Sequence, residues 1–187
     1  MIEARNGCGW EYGSVISKAY HDDRWCNPVH DERELFAMLC LEGMQAGLSW
    51  SIILKREAGM REAFDGFDPD TIAKYNEADF TRLMGDNRII RNRRKVEAAA
   101  DNARAFLEIQ HEFGSFDAYV WGFTGGKVVM NHPKALSDVP VKSELSELVS
   151  RDLTKRGFRF VGPVIIYSYL QSIGIINDHL ESCSCKY

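Results

Sequence analysis

Residues 34–50, ELFAMLCLEGMQAGLSW, decide how the rest of the chain is read. Leu35 through Leu41 form an unbroken apolar run, which predicts a helix buried on more than one face. Glu42 then places a carboxylate at the end of that helix, Gly43 and Gly47 break it, and Trp50 follows. A buried carboxylate is costly unless something pairs with it. A carboxylate beside an aromatic wall is what a pocket for a flat, hydrogen-bonding ligand requires. The plainer alternative leaves Glu42 in solvent and Trp50 in an ordinary core.

The flanking sequence extends the helical pattern. Asp31 is placed to cap the helix that runs to Glu42, with Glu34 three residues on as in a capping box. Trp50, Ile53, Leu54, Met60, Ala63 and Phe64 share one broad apolar face of a second helix over 50–64. Asp68-Pro69 opens a short helix, and Asn76 or Glu77 starts another that breaks at Gly85-Asp86-Asn87. A long helix is predicted from about Arg91 to about Glu112, with Val96, Ala99, Ala103, Phe106 and Leu107 as its stripe. Further helices are predicted over 116–123, from Ser143 to Arg156 with Gly157 as stop, and over 164–172 after Gly162-Pro163. Residues 1–30 look irregular. Lys127–Met130 could form a strand, but one strand makes no sheet. The expectation is one all-α domain over 1–187.

Composition narrows the partners. The 187 residues are 45% hydrophobic and 27% charged, a globular balance. A net charge of −4 means that any nucleic-acid contact must use a local patch. The N-terminus lacks a signal-peptide apolar run, and no segment approaches the ~20 apolar residues that span a bilayer. Five cysteines, an odd number without an export signal, favour thiols or metal ligands in a reducing cytoplasm over a disulfide frame.

Two groups of residues could carry chemistry besides Glu42. His179 and Cys183 are spaced i, i+4, a usable chelating pair. With Cys8 and His21 they would make a closed Cys₂His₂ zinc set, although Cys185 competes with Cys183 and Cys26 with Cys8, and the spacing matches no compact zinc finger. Arg82, Arg88, Arg91, Arg93, Arg94 and Lys95 cluster at a turn and a helix start, where free N–H groups and the helix dipole favour phosphate. A solvated charged face is the alternative for this basic stretch.

Taken together, these stretches resemble the DNA-3-methyladenine glycosylase I (TAG) branch of the helix-hairpin-helix glycosylases. The matching text is Cys8-Gly9-Trp10, Tyr20-His21-Asp22, Trp25, LEGMQAGLSW at 41–50, IIRNRRK at 89–95, NARA at 102–105, KRGFRFVG at 155–162, Asn177-Asp178-His179 and Cys183. Order and spacing hold from about Cys8 to Cys183.

The resemblance implies an all-α helix-hairpin-helix fold, with the hairpin at about 77–112. It implies one structural zinc on Cys8, His21, His179 and Cys183, joining segments 8–21 and 179–183. It also implies a base pocket in which Glu42 and Tyr20 hydrogen-bond, Trp50 stacks, and Trp10, Trp25 and Ser168 lie nearby. Glu42 is the candidate for orienting the water. The Gln45–Leu48 turn, with Gly47 and Leu48, would press into the gap left by a flipped nucleotide, and Arg88, Arg91, Arg93 and Lys95 would contact DNA. The implied activity is hydrolysis of the N-glycosidic bond of 3-methyladenine in alkylated double-stranded DNA by a monomeric, cytoplasmic enzyme. The alternative is a non-catalytic, zinc-stabilised binder of damaged DNA. Two positions depart from the pattern. Arg88 stands where the family commonly has a hairpin glycine, and Ser17 where it often has an aromatic residue near the pocket.

Overall fold

A computed structural model describes residues 7–186, so the first six residues of the segment expected to be irregular lie outside it. Helix α2 (Glu32–Gln45) is the centre of the molecule. Every residue from Leu35 to Met44 is buried, and α2 packs against α3 (Trp50–Ala63), α6 (Arg93–Phe113), α7 (Phe116–Gly122) and α9 (Pro163–Ser172). Phe36 meets Phe106 of α6 edge-on, with ring centroids 5.1 Å apart. Each such fully buried large side chain contributes about 1.5–3 kcal/mol of transfer free energy. Further helices are α4 (Pro69–Ile72), α5 (Glu77–Gly85) and α8 (Glu144–Lys155).

Helix ends follow the local chemistry. Asp31, Asp68, Asn76, Asn92, Ser115 and Ser143 each accept a backbone N–H at an N-terminus, which satisfies donors the helix itself leaves free. Gly114 ends α6 at φ +86°. The capping box expected at Asp31 is only half formed. Asp31 accepts the Glu34 N–H at 2.9 Å, but the Glu34 carboxylate goes to Arg61 and Arg24 instead.

Three expectations need correction. Helix α2 does not stop at Glu42 but continues through Gly43 to Gln45. Gly43 sits against Phe160 and is held helical by its neighbours. The N-terminal region is not irregular throughout: a 3₁₀ turn, Trp10–Gly13, leads into α1 (Val15–Asp23). Ser14 caps α1 by accepting the Ser17 N–H, and burial of Tyr20 and His21 outweighs the weak helix formers around them. Finally, Val129–Met130 (β1) does find a partner. It pairs in parallel with Ile176–Asn177 (β2), a run hidden in sequence by its apolar surroundings. No helix among the described residues is long and apolar enough to cross a membrane.

Candidate active site and metal centre

A cavity of about 350 Å³ opens between α1, α2, α3 and α9. Its lining includes Trp10 from the 3₁₀ turn, Tyr20 from α1, Trp25, Glu42 from α2, Trp50 at the start of α3 and Ser168 from α9. All six residues that the resemblance assigns to a pocket therefore share one cavity. The rings brace one another: Trp10 meets Trp25 edge-on at 5.2 Å, and Tyr20 meets Trp50 at 5.4 Å.

Three polar groups in this cavity have no partner among the described residues. Glu42 is only 3% exposed, and no ion pair or side-chain hydrogen bond from a described residue reaches it. Burial alone pushes its carboxyl up to about 8, because a low-dielectric site disfavours the charged form. The Tyr20 hydroxyl and the Trp50 Nε1–H are buried and unpartnered. Unsatisfied buried polar groups are costly, and their convergence on a cavity marks it as built for a polar, flat ligand.

The positions of α1, α2 and α3 are tied by charge beneath the pocket. Arg24 donates to Glu57 at 2.8 and 3.0 Å and to Glu34 at 3.3 Å, and its guanidinium lies 5.3 Å from the Tyr20 ring centroid. Gln171, Leu136 and Val139 also line the cavity and were missed in the sequence, as was the place in its lining of Gln45, which was expected only in the turn that presses into the duplex. Gln45 was readable, being one helical turn from Glu42. Leu136 and Val139 come from a distant 3₁₀ segment, Leu136–Asp138 and its exit, and carry no local signal.

The four candidate metal ligands also converge. The ligand atoms of Cys8, His21, His179 and Cys183 all lie within 4.8 Å of one another, and all four residues are buried. Cys8 Sγ is 3.5 Å and Cys183 Sγ 3.4 Å from His179 Nδ1, and Cys183 Sγ is 3.7 Å from His21 Nε2. A regular tetrahedral zinc site with Zn–S of ~2.3 Å and Zn–N of ~2.0–2.1 Å separates sulfur from nitrogen by about 3.6 Å.

The surroundings fit as well. His21 Nδ1 faces Asp22 at 2.8 Å and His179 Nε2 faces the Trp25 carbonyl at 3.2 Å, which orients both rings. Backbone N–H groups of Leu180 and Cys185 point at the two sulfurs. Cys26 stands outside the tetrad, and Cys185 groups instead with His21 and Asp22. The residues therefore fit a tetrahedral metal.

The sequence matches the methyladenine glycosylase family model over residues 10–187. The chain belongs to that family. It is 42% identical over 178 residues to DNA-3-methyladenine glycosylase 1 of Escherichia coli K12, covering 95% of each chain. It is 41% identical over 179 residues to the DNA-3-methyladenine glycosylase of Haemophilus influenzae, covering 96% of this chain and 97% of that one. Among solved structures it is similar to 3-methyladenine DNA glycosylase I (TAG) of Staphylococcus aureus, described for its recognition of 3-methyladenine. The TM-score is 0.94, with 35% identity and 98% of both chains covered.

Between α5 and α6, where the hairpin was expected, the cations divide into three groups. Arg91 and Arg94 are exposed and have no ion pair among the described residues. Arg88 is held by Asp86 and Glu62, and Arg93 by Glu77 and Glu97. Lys95, expected on the DNA face, turns inward and is 7% exposed. Arg88 does not adopt left-handed backbone. Asp86 accepts its N–H at 2.8 Å, so the turn forms without the family's glycine. Ser17 is buried within α1 and does not line the cavity. Gly47 is exposed at φ +81°, beside a half-buried Leu48.

Proposed function

We propose that this chain is a DNA-3-methyladenine glycosylase, hydrolysing the N-glycosidic bond of 3-methyladenine in alkylated DNA and leaving an abasic site. The observation that carries this reading is Glu42, an unpaired buried carboxyl facing an aromatic cavity. The base must leave the stack to be cut, and the cavity volume lies within the range of small-molecule sites.

N3-methylation makes the adenine of the nucleotide cationic. A cation entering the cavity supplies the opposite charge that Glu42 lacks, so the Glu42 proton leaves to solvent and the carboxylate pairs with the base. Trp50 adds cation–π attraction of about 1–2 kcal/mol in a dry site. Tyr20 and Trp50 offer their free O–H and N–H groups to the ring. As water adds to the sugar carbon, the carbon–nitrogen bond breaks, its electron pair neutralises the base, and the water loses a proton. Because the base departs neutral, little acid assistance is required. Among the described residues Glu42 is the only carboxyl lining the cavity, and it is our candidate for orienting the water.

The remaining assignments belong to the same proposal. Zinc on Cys8, His21, His179 and Cys183 would act as a structural clamp, with no open position for substrate. Trp10 and Trp25 pack against His21 and His179, so that clamp would also steady the pocket wall. Gly47 and Leu48 would fill the gap left by the flipped nucleotide, and Arg91 and Arg94 would hold a phosphate backbone at the start of α6. The substrate is double-stranded DNA and the working form a monomer.

The test is chromatographic detection of free 3-methyladenine from methylated duplex DNA. Release by the purified chain is expected. Tight binding to an abasic-site analogue without release would mean a non-catalytic binder.

A further inference from the structure

Lys95 sits in the first turn of α6, directly after the exposed Arg94, yet its amine is buried. Its Nζ donates to the Met44 carbonyl at 2.8 Å and the Ala46 carbonyl at 2.7 Å. It also lies 5.9 Å from the centroid of the Phe160 ring. These two carbonyls belong to the C-terminal end of α2, where a helix leaves acceptors unpaired and favours a cation. The Gln45 carbonyl between them is taken by the Leu48 N–H at 2.6 Å. Gln45 Nε2 closes the turn by donating to the Leu48 carbonyl at 2.7 Å. The acceptors that end α2 are therefore divided between the turn itself and a side chain from the hairpin helix.

The turn so held is the one that carries Gly47 and Leu48 and that begins three residues after Glu42. The same turn of α6 presents Arg94 to solvent, with Arg91 just before it. One helical turn thus faces the proposed phosphate contact on one side and the underside of the Gln45–Ser49 turn on the other. Resting on the glycosylase reading above, we infer that Lys95 is a positioning residue: it fixes the Leu48 turn to the DNA-holding end of α6, so that gripping the backbone places Leu48 for base extrusion. Lys95 is not among the residues that line the cavity, and its removal should spare the pocket.

The experiment compares wild type, Lys95→Met, Leu48→Ala and the double variant. Each is measured for single-turnover release of 3-methyladenine from methylated duplex and for affinity toward free 3-methyladenine. Lys95→Met is expected to slow release on the order of 10- to 100-fold, the scale of a misplaced group, while free-base affinity stays within about threefold. Leu48→Ala is expected to cost much less in the Lys95→Met background than alone, because interacting residues are non-additive.

Release at the wild-type rate by Lys95→Met overturns the inference. So does a loss of free-base affinity equal to the loss of release, or a Leu48→Ala cost that is the same in both backgrounds. If Lys95→Met does not fold, Lys95→Arg decides. Retained release with full dependence on Leu48 supports the inference, and retained release without that dependence overturns it. A wild-type chain that binds methylated duplex but releases no base refutes the functional reading itself, a result separate from all of these.

Discussion

Cys8 Sγ lies 3.5 Å from His179 Nδ1, although the two residues are 171 positions apart. The contact joins the N-terminal segment of the chain to the C-terminal one, and the metal reading gives it a purpose. The expected outcome is one zinc per chain by elemental analysis. Prolonged chelation, or Cys183→Ser, should lower both the metal content and the melting temperature, because binding energy at a structural site is folding energy. A metal-free protein with an unchanged melting temperature would end the zinc assignment.

Glu42 links stability to pH in a direction opposite to most carboxylates. Its carboxyl sits near 8 in the folded chain against an ordinary 4.5. Between these values the folded state keeps a proton that the unfolded state has lost. The contribution is therefore fully present below pH 4.5 and lost as pH rises through 8, amounting to roughly 5 kcal/mol at most. Glu42→Gln stays neutral throughout. Its stability relative to wild type, measured by urea unfolding, should grow from pH 5 to pH 9; a pH-independent difference would show that the carboxyl is not held in its raised state.

Gly174 tests the backbone that carries the C-terminal ligands. It adopts φ +74°, and an added Cβ would fall 2.3 Å from the Asn27 carbonyl carbon and 2.4 Å from the Pro28 nitrogen. The close approach is fixed by Cys26 N–H to Gln171 O and Val29 N–H to Ile173 O. Gly174→Ala should destabilise by about 3 kcal/mol or more, read as a melting temperature roughly 6–12 °C lower. A change under about 2 °C would mean the backbones can part freely.

The division among the hairpin cations predicts their salt behaviour. Removing Arg91 or Arg94 should lower the salt slope of duplex binding by about one each. Arg88→Ala should leave the slope unchanged, because its charge is already matched by Asp86 and Glu62. An equal drop for all three would show that those ion pairs open on DNA.

These contrasts show what the chain made legible and what it hid. The α2 helix could be read locally, and Glu42 stood out there as one carboxylate at the end of an apolar run, but the stretch alone left the solvent-facing alternative open and resemblance supplied the pocket. The His179–Cys183 pair could be read from its i, i+4 spacing, but the full tetrad could not, since Cys185 and Cys26 stayed as competitors; resemblance supplied that choice. Lys95 was misread because a lysine among arginines at a helix start looks like one more surface cation. Nothing local reveals that the carbonyls ending α2 lie beneath it. The α1 helix was obscured by glycine and polar neighbours, and it forms because Tyr20 and His21 are drawn into the core.

The central claim, that the Glu42 carboxylate reads the positive charge of an alkylated base, is tested most directly by single-turnover release of 3-methyladenine from methylated duplex by wild type and Glu42→Gln side by side. Loss of one preorganised electrostatic partner predicts a rate lower on the order of 10²–10³-fold in a variant that remains folded. Release by folded Glu42→Gln at the wild-type rate would contradict the account.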